Sequence, residues 1–555
     1  MARNSLQTNQ RAIELAGHNL ANVSNPAYSR QRLNIQTSEG TPTDAGQQGS
    51  GVQVNGIDQF RDILLDRQIA NEASVLAYLE EKQKILQFAQ SMIGQDLDRT
   101  SSSPEGKAAS KGVSGQMGLG DNLSEFFNAL QALSSNPSSQ AYRQVVIFKA
   151  QNLSEKFNRI DFRLGELLHD LNSEVGSMVE DVNDAITFLE KIGQMISTQK
   201  LLSNANDLTD KFHSRMEQLS KFVDVQFEFK PDAATDSSTG KAMERLNLKI
   251  GGVEVIANGE ITSKLTLVIK DDKGNKVTRK NNYLERGDTV FVETVKSAEQ
   301  FQLISGKIKA VIDSRDESVR GFKTSMNLIS EKIKERINLE HAKGTSLPVL
   351  QLSSEYVGTG SLAIENLSNN LKAGDRLLFG NGGVFTVAND AAIGDQELKG
   401  TYTGDSPLAK GERAALTSID FFDIAADGLS VNERISGNPA LLHAGMGGDA
   451  GNNELALSMA QIIDERQEDL NGQTFNEALN RGVIGFGQEL SSVETQTLDQ
   501  SSVLRMLQEH RTSISGVSID EEMANLLVFQ RAFQANAKLI SLLDELLAIS
   551  INVMK

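Results

Sequence analysis

Apolar residues recur at helical spacing at both ends of the chain. Leu6, Ile13 and Leu20 stand seven residues apart with Ala16 and Val23 between them, which draws one narrow apolar stripe on an otherwise polar helix. At the other end Ile519, Leu526, Phe533, Ile540, Leu547 and Met554 repeat at the same interval, and Met523, Phe529, Ala537, Leu543 and Ile551 fill a second seam. Such stripes are too exposed to hold a lone helix. The pattern therefore predicts that the terminal helices pair as a coiled coil, with each other or with other copies. Pro26 lacks the N–H needed to continue a helix and biases Asn25 away from it, so the first helix ends by about Ser24, with Asn22 or Asn25 as a left-handed cap. Ser518 and Glu521 have capping-box spacing and open the last helix.

Between the ends the period changes several times. Residues 37–51 read as loop, 58–93 as a long helix, and the Ser/Gly-rich stretch 99–118 as a mobile segment. Helices follow at "NLSEFFNALQALS", over 141–195, and from a start capped by Asn206 or Asp207. At Asp224 the spacing turns strand-like in "VDVQFEFK", "RLNLKI", "KLTLVIK" and "TVFVETV", with "DDKGNK" as a hairpin turn between the third and fourth. Helical spacing returns over 297–342, and residues 345–425 form a second strand-rich stretch whose clearest strands are "GDRLLFG" and "GGVFTVA". After about Ile424 the chain is helical, beginning with a helix capped by Asn452 or Asn453.

This order predicts a mainly α, elongated fold with β insertions. Residues 1–57 and 500–555 make the inner terminal coiled-coil domain, and 58–223, 297–344 and 425–499 the helical-bundle body. Residues 224–296 and 345–424 make small β modules in the middle.

Composition narrows the function. With 39% hydrophobic and 5% aromatic residues, no Trp and only 8 Pro, the 555-residue chain suits long helices. A formal net charge of -18 with no basic block argues against a nucleic-acid surface. The absence of Cys excludes disulfides, thiolate catalysis and Cys-bound metal, and fits equally drift in a cytosolic protein or a chain threaded unfolded through a secretion channel. The N-terminus lacks the apolar core of a cleavable signal, and no stretch approaches the ~18 apolar residues of a membrane span.

Chemistry finds little support. The six histidines, His18, His169, His213, His341, His443 and His510, are scattered without metal-binding spacing, and there is no Gly-x-Ser-x-Gly elbow. The run Asp520, Glu521, Glu522 complements the positive end of a helix rather than forming an acid–base pair. "DDKGNK" lacks the carboxylates of a calcium loop, "GTGSLA" is an isolated glycine match, and "HAGMGGDAGNNELALS" has no phosphate-loop lysine. No catalytic, cofactor-binding or metal residue is expected. The terminal stripes carry the functional signal, and the expected assembly interface comprises Leu6, Ile13, Leu20, Asn22, Pro26, Tyr28, Ile519, Met523, Leu526, Phe533, Ile540 and Leu547.

The segment "GHNLANVSNPAYSRQRLNIQT" resembles the N-terminal signature of bacterial flagellar axial proteins, and "SISGVSIDEEMANLLVFQRAFQANAKLISLLDELLAISINV" is similar to their C-terminal signature. Three interior stretches, "NANDLTDKFHSRMEQLSKFVDV", "ISGKIKAVIDSRDESVRGFKTSMNLISEKIKERINLEHAKGTS" and "DAGNNELALSMAQI", resemble the hook-associated junction members of that family rather than hook or rod proteins. The resemblance implies a structural, non-enzymatic part of the flagellum with no cofactor, exported unfolded through the flagellar type III apparatus. It implies transient residence in the cytoplasm, then self-assembly as a ring in the extracellular axis at the hook–filament junction. Implied partners are the hook protein, the third hook-associated protein and a cytoplasmic export chaperone at the C-terminal helix, with no nucleic acid and no membrane. Another axial protein (third hook-associated, hook or rod), or a secreted adhesin or enzyme using the β modules, are the alternatives. The chain starts short of the family's usual beginning, which implies either a clipped first helix or a misassigned start codon. Ala27 stands where the family has Gly, which implies an unusual backbone there.

Overall fold

The computed structural model describes residues 2–37, 41–43, 46–48, 51–93, 118–202, 204–235, 242–271, 273–277, 289–294, 301–358, 361–404, 406–417, 419–423, 428–446 and 451–553. The stretch 99–118, read from composition as mobile, lies outside the described residues except for Gly118.

Helix α1 (Ala2–Ala21) opens the chain and stops ahead of Pro26. Strands β1 (Gln31–Thr37), β2 (Thr41–Thr43), β3 (Gly46–Gln48) and β4 (Val52–Gln59) follow. The expected loop over 37–51 is thus framed by an antiparallel pair that sets Leu33 opposite Ile57 and Ile35 opposite Val54. Helix α2 (Ile63–Ile93) consequently starts later than the residue 58 that its apolar spacing suggests. Its start is set by Asp62, whose Oδ1 accepts the backbone N–H of Leu64 at 2.9 Å and of Leu65 at 3.2 Å.

Helices α3 (Leu119–Ser135), α4 (Gln140–Leu202) and α5 (Asn206–Ser220) come next. Ala205 occupies the N-cap of α5 without a side-chain cap; Asn206 and Asp207 turn instead to partners elsewhere in the fold. Strands β5 (Val225–Thr235), β6 (Ala242–Ile250), β7 (Val253–Ala257) and β8 (Glu260–Ile261) form one antiparallel sheet in that order. Strands β9 (Leu265–Lys270), β10 (Lys276–Val277) and β11 (Thr289–Thr294) form a second. "DDKGNK" is a turn as predicted, closed by Asp271 Oδ1 accepting the N–H groups of Lys273 and Asn275 at 3.0 and 2.7 Å. It leads, however, into the short β10, and the strand expected to follow it, β11, pairs with the other edge of β9.

Helix α6 (Lys307–Asp313) continues through a π-helical turn, Ser314–Val319, into α7 (Arg320–His341). Residues 301–306 are not helical, which corrects the expected start at 297. At Gly306 φ is +91°, and an added Cβ would lie 2.5 Å from the Phe222 carbonyl oxygen, so the chain must turn there before a helix can begin. Strands β12 (Pro348–Leu352), β13 (Leu362–Leu367), β14 (Arg376–Phe379), β15 (Val384–Val387), β16 (Glu397–Leu398), β17 (Gly400–Thr403) and β18 (Arg413–Leu416) build one sheet, ordered β16-β13-β12-β18-β14-β15-β17. The chain closes with α8 (Glu433–Gly437), α9 (Glu454–Gln461), α10 (Phe475–Ser515) and α11 (Ile519–Val553). Asn453 is the N-cap of α9 by position, while the Oδ1 of Asn452 accepts the Glu454 N–H at 3.0 Å.

The fold is mainly α with inserted β sheets, and the chain divides into two compact units. The first comprises residues 1–85, 169–314 and 492–555. Within it the later part of α4 holds both small sheets. Asn183 exchanges hydrogen bonds with the backbone of Leu265, Glu190 accepts from the Ile261 N–H, and Gly193 leaves room for Leu246. The second unit comprises residues 86–168 and 315–491. Its core joins Phe126 of α3 to Phe421 and Phe422, and the Asn338 side chain of α7 is bonded to both backbone groups of Phe422.

Candidate functional site

Helices α1 and α11 run antiparallel, because Asn19 near the end of α1 meets Glu522 in the first turn of α11 at 3.2 Å. The buried line of α1 is Thr8, Ala12, Leu15, Ala16 and Asn19; the predicted stripe Leu6, Ile13 and Leu20 lies beside it, half-buried. Small residues take the inner line because they let neighbouring backbone approach closely. On α11 the side toward α1 carries half-buried Leu526, Phe529, Phe533 and Ile540, alternating with Asn525, Ala532, Asn536 and Ala537. Three residues of the predicted seam turn elsewhere: Ile519 is 53% exposed, Met523 44% and Leu547 59%.

The pair is rooted by a polar cluster built on the segment 18–31. Asn22 is half-buried and caps the end of α1 by donating its Nδ2 to the His18 carbonyl at 2.9 Å. Pro26 is exposed, and the Ala27 N–H donates to Asn25 Oδ1 at 3.1 Å. Ala27 does not have the unusual backbone that its place in the family pattern implied: Asn258 and Asn471 are the non-glycine residues with positive φ among the described ones. This turn delivers Tyr28 into the interior, where its hydroxyl donates to Asn19 Oδ1 at 2.7 Å.

Asn19 is the hub. Its Oδ1 also accepts the Gln31 N–H at 3.1 Å, and its Nδ2 donates to the Gln31 carbonyl at 2.9 Å and to Glu522 Oε2. A buried amide has two donors and a two-fold acceptor, and here all are used. Arg30 completes the link to α11, with Nε on Glu522 Oε1 and Nη1 on Glu521 Oε2, both at 2.7 Å, and its N–H on the Ser515 carbonyl at 2.9 Å. Ser518 Oγ accepts the Glu521 N–H at 3.4 Å, as the capping-box spacing predicts. The carboxylates of Glu521 and Glu522, though, clamp Arg30 in addition to lying at the helix's positive end.

A second layer ties the same segment to α5. Arg61 spans Asp66 and Asp210, at 2.6 Å each, and reaches Ser29 Oγ at 3.2 Å. Gln59 donates to Asp210 at 2.8 Å and Gln31 to Asp207 at 2.9 Å. Burial pushes the Asp210 carboxyl up to about 6 against the pull of Arg61. Burial, then Asp207, Asp210 and Glu522, push the Tyr28 hydroxyl well above its ordinary range, so it stays a neutral donor. An open cavity of ≈ 640 Å³ borders this cluster, lined among others by His18, Asn25, Tyr28 and Arg215. No group of metal-binding side chains occurs among the described residues, and no described helix is long and apolar enough to cross a membrane.

The apolar pattern alone does not reveal Asn19, Arg61, Asp207, Asp210 or the role of Glu522. The available signal was Asn19 itself, a polar residue in register with Ala12, Leu15 and Ala16 on a buried line. Arg30→Ala is expected to cost about 2 kcal/mol, because it strips the ion pair from the buried Glu522 but leaves that carboxylate its bond to Asn19. Chemical denaturation followed by circular dichroism measures the loss, which should shrink for Glu521→Ala, whose carboxylate is exposed.

A terminal helix pair, rooted through paired polar signatures and carrying the body of the chain between its two ends, defines a structural component of the bacterial flagellum. Residues 508–553 match the family described as flagellar basal body rod FlgEFG protein C-terminal, and residues 112–349 match the flagellar hook-associated protein FlgK helical domain. Over its whole length the chain is similar to proteins named flagellar hook-associated protein 1. Flagellar hook-associated protein 1 of Bacillus subtilis is 24% identical, covering 100% of this chain and 97% of its own. That of Salmonella typhimurium is 21% identical, covering 100% and 99%. The solved flagellar hook junction protein FlgK from Burkholderia pseudomallei aligns over 81% of this chain and 100% of its own, with 12% identity and a TM-score of 0.49. These relatives carry the names of hook-associated or hook-junction proteins of the flagellum.

Proposed function

We propose that this chain links the flagellar hook to the filament by self-assembly through α1 and α11, as a ring in the axis, and performs no catalysis. Residues 1–57 and 500–555 form the inner layer, 58–223, 297–344 and 425–499 the helical body, and the β modules 224–296 and 345–424 face solvent. Its neighbours are the hook protein on one side and the third hook-associated protein on the other. Before export through the flagellar type III apparatus, a cytoplasmic chaperone covers α11, and the mature place of the chain is the extracellular junction.

The observation that carries this reading is the unfinished burial of α11. The helix has 35 residues against 20 in α1, and beyond Ile540 every residue with a described side chain is exposed. Leu539, Leu542, Leu543, Leu546, Leu547, Ile549 and Ile551 all stand at 45% exposure or more. A helix end with so broad an exposed apolar face is stable in water only when other helices cover it. The expected interface residues Leu6, Ile13, Leu20, Asn22, Pro26 and Tyr28 then position α1, and Ile519, Met523, Leu526, Phe533, Ile540 and Leu547 divide between the α1 seam and the free surface. Electron microscopy of cells lacking the protein tests the reading: hooks without filaments are expected, and filaments of normal length would overturn the junction role.

A further inference from the structure

The second unit contains two histidines that the assembly role leaves unused. His341 ends α7, and His443 lies 102 residues later, in the segment between α8 and α9. Their rings stack with centroids 3.8 Å apart and planes 6° from parallel, and both residues are fully buried.

The hydrogen bonds fix where the protons sit. His341 Nδ1 faces the Ile419 carbonyl at 2.9 Å, and a carbonyl only accepts, so Nδ1 carries the proton. Its Nε2 is the bare nitrogen, and it accepts the His443 N–H at 2.8 Å. His443 Nδ1 in turn donates to the His341 carbonyl at 2.6 Å. One neutral pair thereby joins the end of α7 to the segment after β18 and to the segment before α9. A proton on His341 Nε2 would point at an N–H and break that bond.

Among the described residues no counter-charge faces such a proton. Arg143 of α4 is buried beside the pair with Nε and Nη1 unbonded, and its positive field opposes charge on either ring. Phe421 covers His341 at 5.9 Å. On α7, Glu340 is committed to Lys343 at 2.6 Å and to Ser458 of α9 at 3.1 Å, while burial and then the Asp423 charge push the Asp420 carboxyl beside β18 above its ordinary range. Among the described residues neither ring is bonded to a carboxylate.

We propose that the His341–His443 stack is a proton-operated latch, which closes this corner of the second unit while both rings are neutral and opens it when they take up protons. Burial holds His341 well below the ordinary histidine value and His443 at about 4. Both are depressed in the closed state, so the latch holds fully above about 6.5 and weakens as pH falls toward 4.

Hydrogen exchange on the full chain between pH 7 and pH 5, corrected for intrinsic rates, tests the latch. In peptides covering His341, Leu416 and His443 the opening constant is expected to rise about 30-fold between pH 6.5 and 5.5 and to approach 100-fold per unit below that, the signature of two protons. His443→Asn keeps a side-chain donor for the His341 carbonyl and removes one titrating ring, so the slope should fall to about 10-fold per unit. Protection that is flat with pH, or a slope unchanged in His443→Asn, would overturn the latch. Exchange of the imidazole C2 hydrogens in the wild-type protein is an independent measure should that variant fail to fold. Both buried rings should exchange far more slowly than exposed His510, and equal rates would count against the proposal.

Discussion

A chain ending at residue 517 is expected to be absent from isolated flagella. Removing 518–555 takes away the partner of α1 and the free apolar surface of α11 together. It uncovers Ala12, Leu15 and Ala16, and leaves Arg30 without Glu521 and Glu522. Covering a Leu or Ile side chain is worth about 1.5–3 kcal/mol, so the apolar residues beyond Ile540 hold enough binding free energy to decide assembly. The second unit, whose core contains no residue after 491, should still fold. Immunoblots of purified flagella measure incorporation, and chaperone pull-down from the cytoplasm measures capture; normal levels of either would contradict the assigned role of α11. A finer variant separates pairing from assembly. Replacing Leu542, Leu543, Leu546 and Leu547 by Gln leaves the α1 contact in place and should lose incorporation nearly as completely.

The second large effect falls on one amide. Asn19→Leu keeps the approximate volume but leaves the Tyr28 hydroxyl, both backbone groups of Gln31 and the carboxylate of Glu522 short of a partner in a buried setting. Each unsatisfied buried group costs roughly 1–3 kcal/mol. Partial compensation remains, since Tyr28 also contacts His18 Nδ1 at 3.2 Å and Glu522 keeps Arg30. A total of about 4 kcal/mol is expected, concentrated on the anchorage of α1. Hydrogen exchange should show α1 and the start of α11 losing protection while the sheet of β12–β18 keeps its own. Asn22→Ala is the control: among the described residues its amide bonds only the end of its own helix, so a loss below about 1 kcal/mol is expected. A destabilisation by Asn19→Leu within about 1 kcal/mol of that control would show that the hub is dispensable.

The terminal helices and most of the interior elements were legible because burial imposes a period on a helix or a strand, and a period is visible in one dimension. Pro26 and Ser518 marked helix ends for equally local reasons, a missing N–H and a hydroxyl within reach of a backbone amide. Reading failed where a residue's role depends on a distant segment. Asp207 looks like a cap for α5 and is instead a partner of Gln31, because the folded chain brings in an amide from 176 residues away. Asp62 does set a helix start, but the spacing of Phe60, Ile63 and Leu64 blurred the boundary with β4, whose own Val52, Val54 and Ile57 alternate as a strand. The acidic run 520–522 reads as a complement to the helix dipole, while its clamp on Arg30 exists only across a separation of nearly the whole chain.

The segment "HNLANVSNPAYSRQR" shows the division plainly. Sequence by itself determined that a helix ends there and that a turn follows. Each conclusion rests on properties of adjacent residues: a fixed φ, a short polar side chain, a repeat of seven. Only the tertiary structure decided that Asn19 would satisfy all its hydrogen-bonding capacity between α1, β1 and α11, and that Tyr28 would be buried while Pro26 stayed exposed. It also decided that His341 and His443 would stack. Buried polar groups are paired wherever the fold brings a partner, and the identity of that partner is a property of three-dimensional closure that no local pattern records.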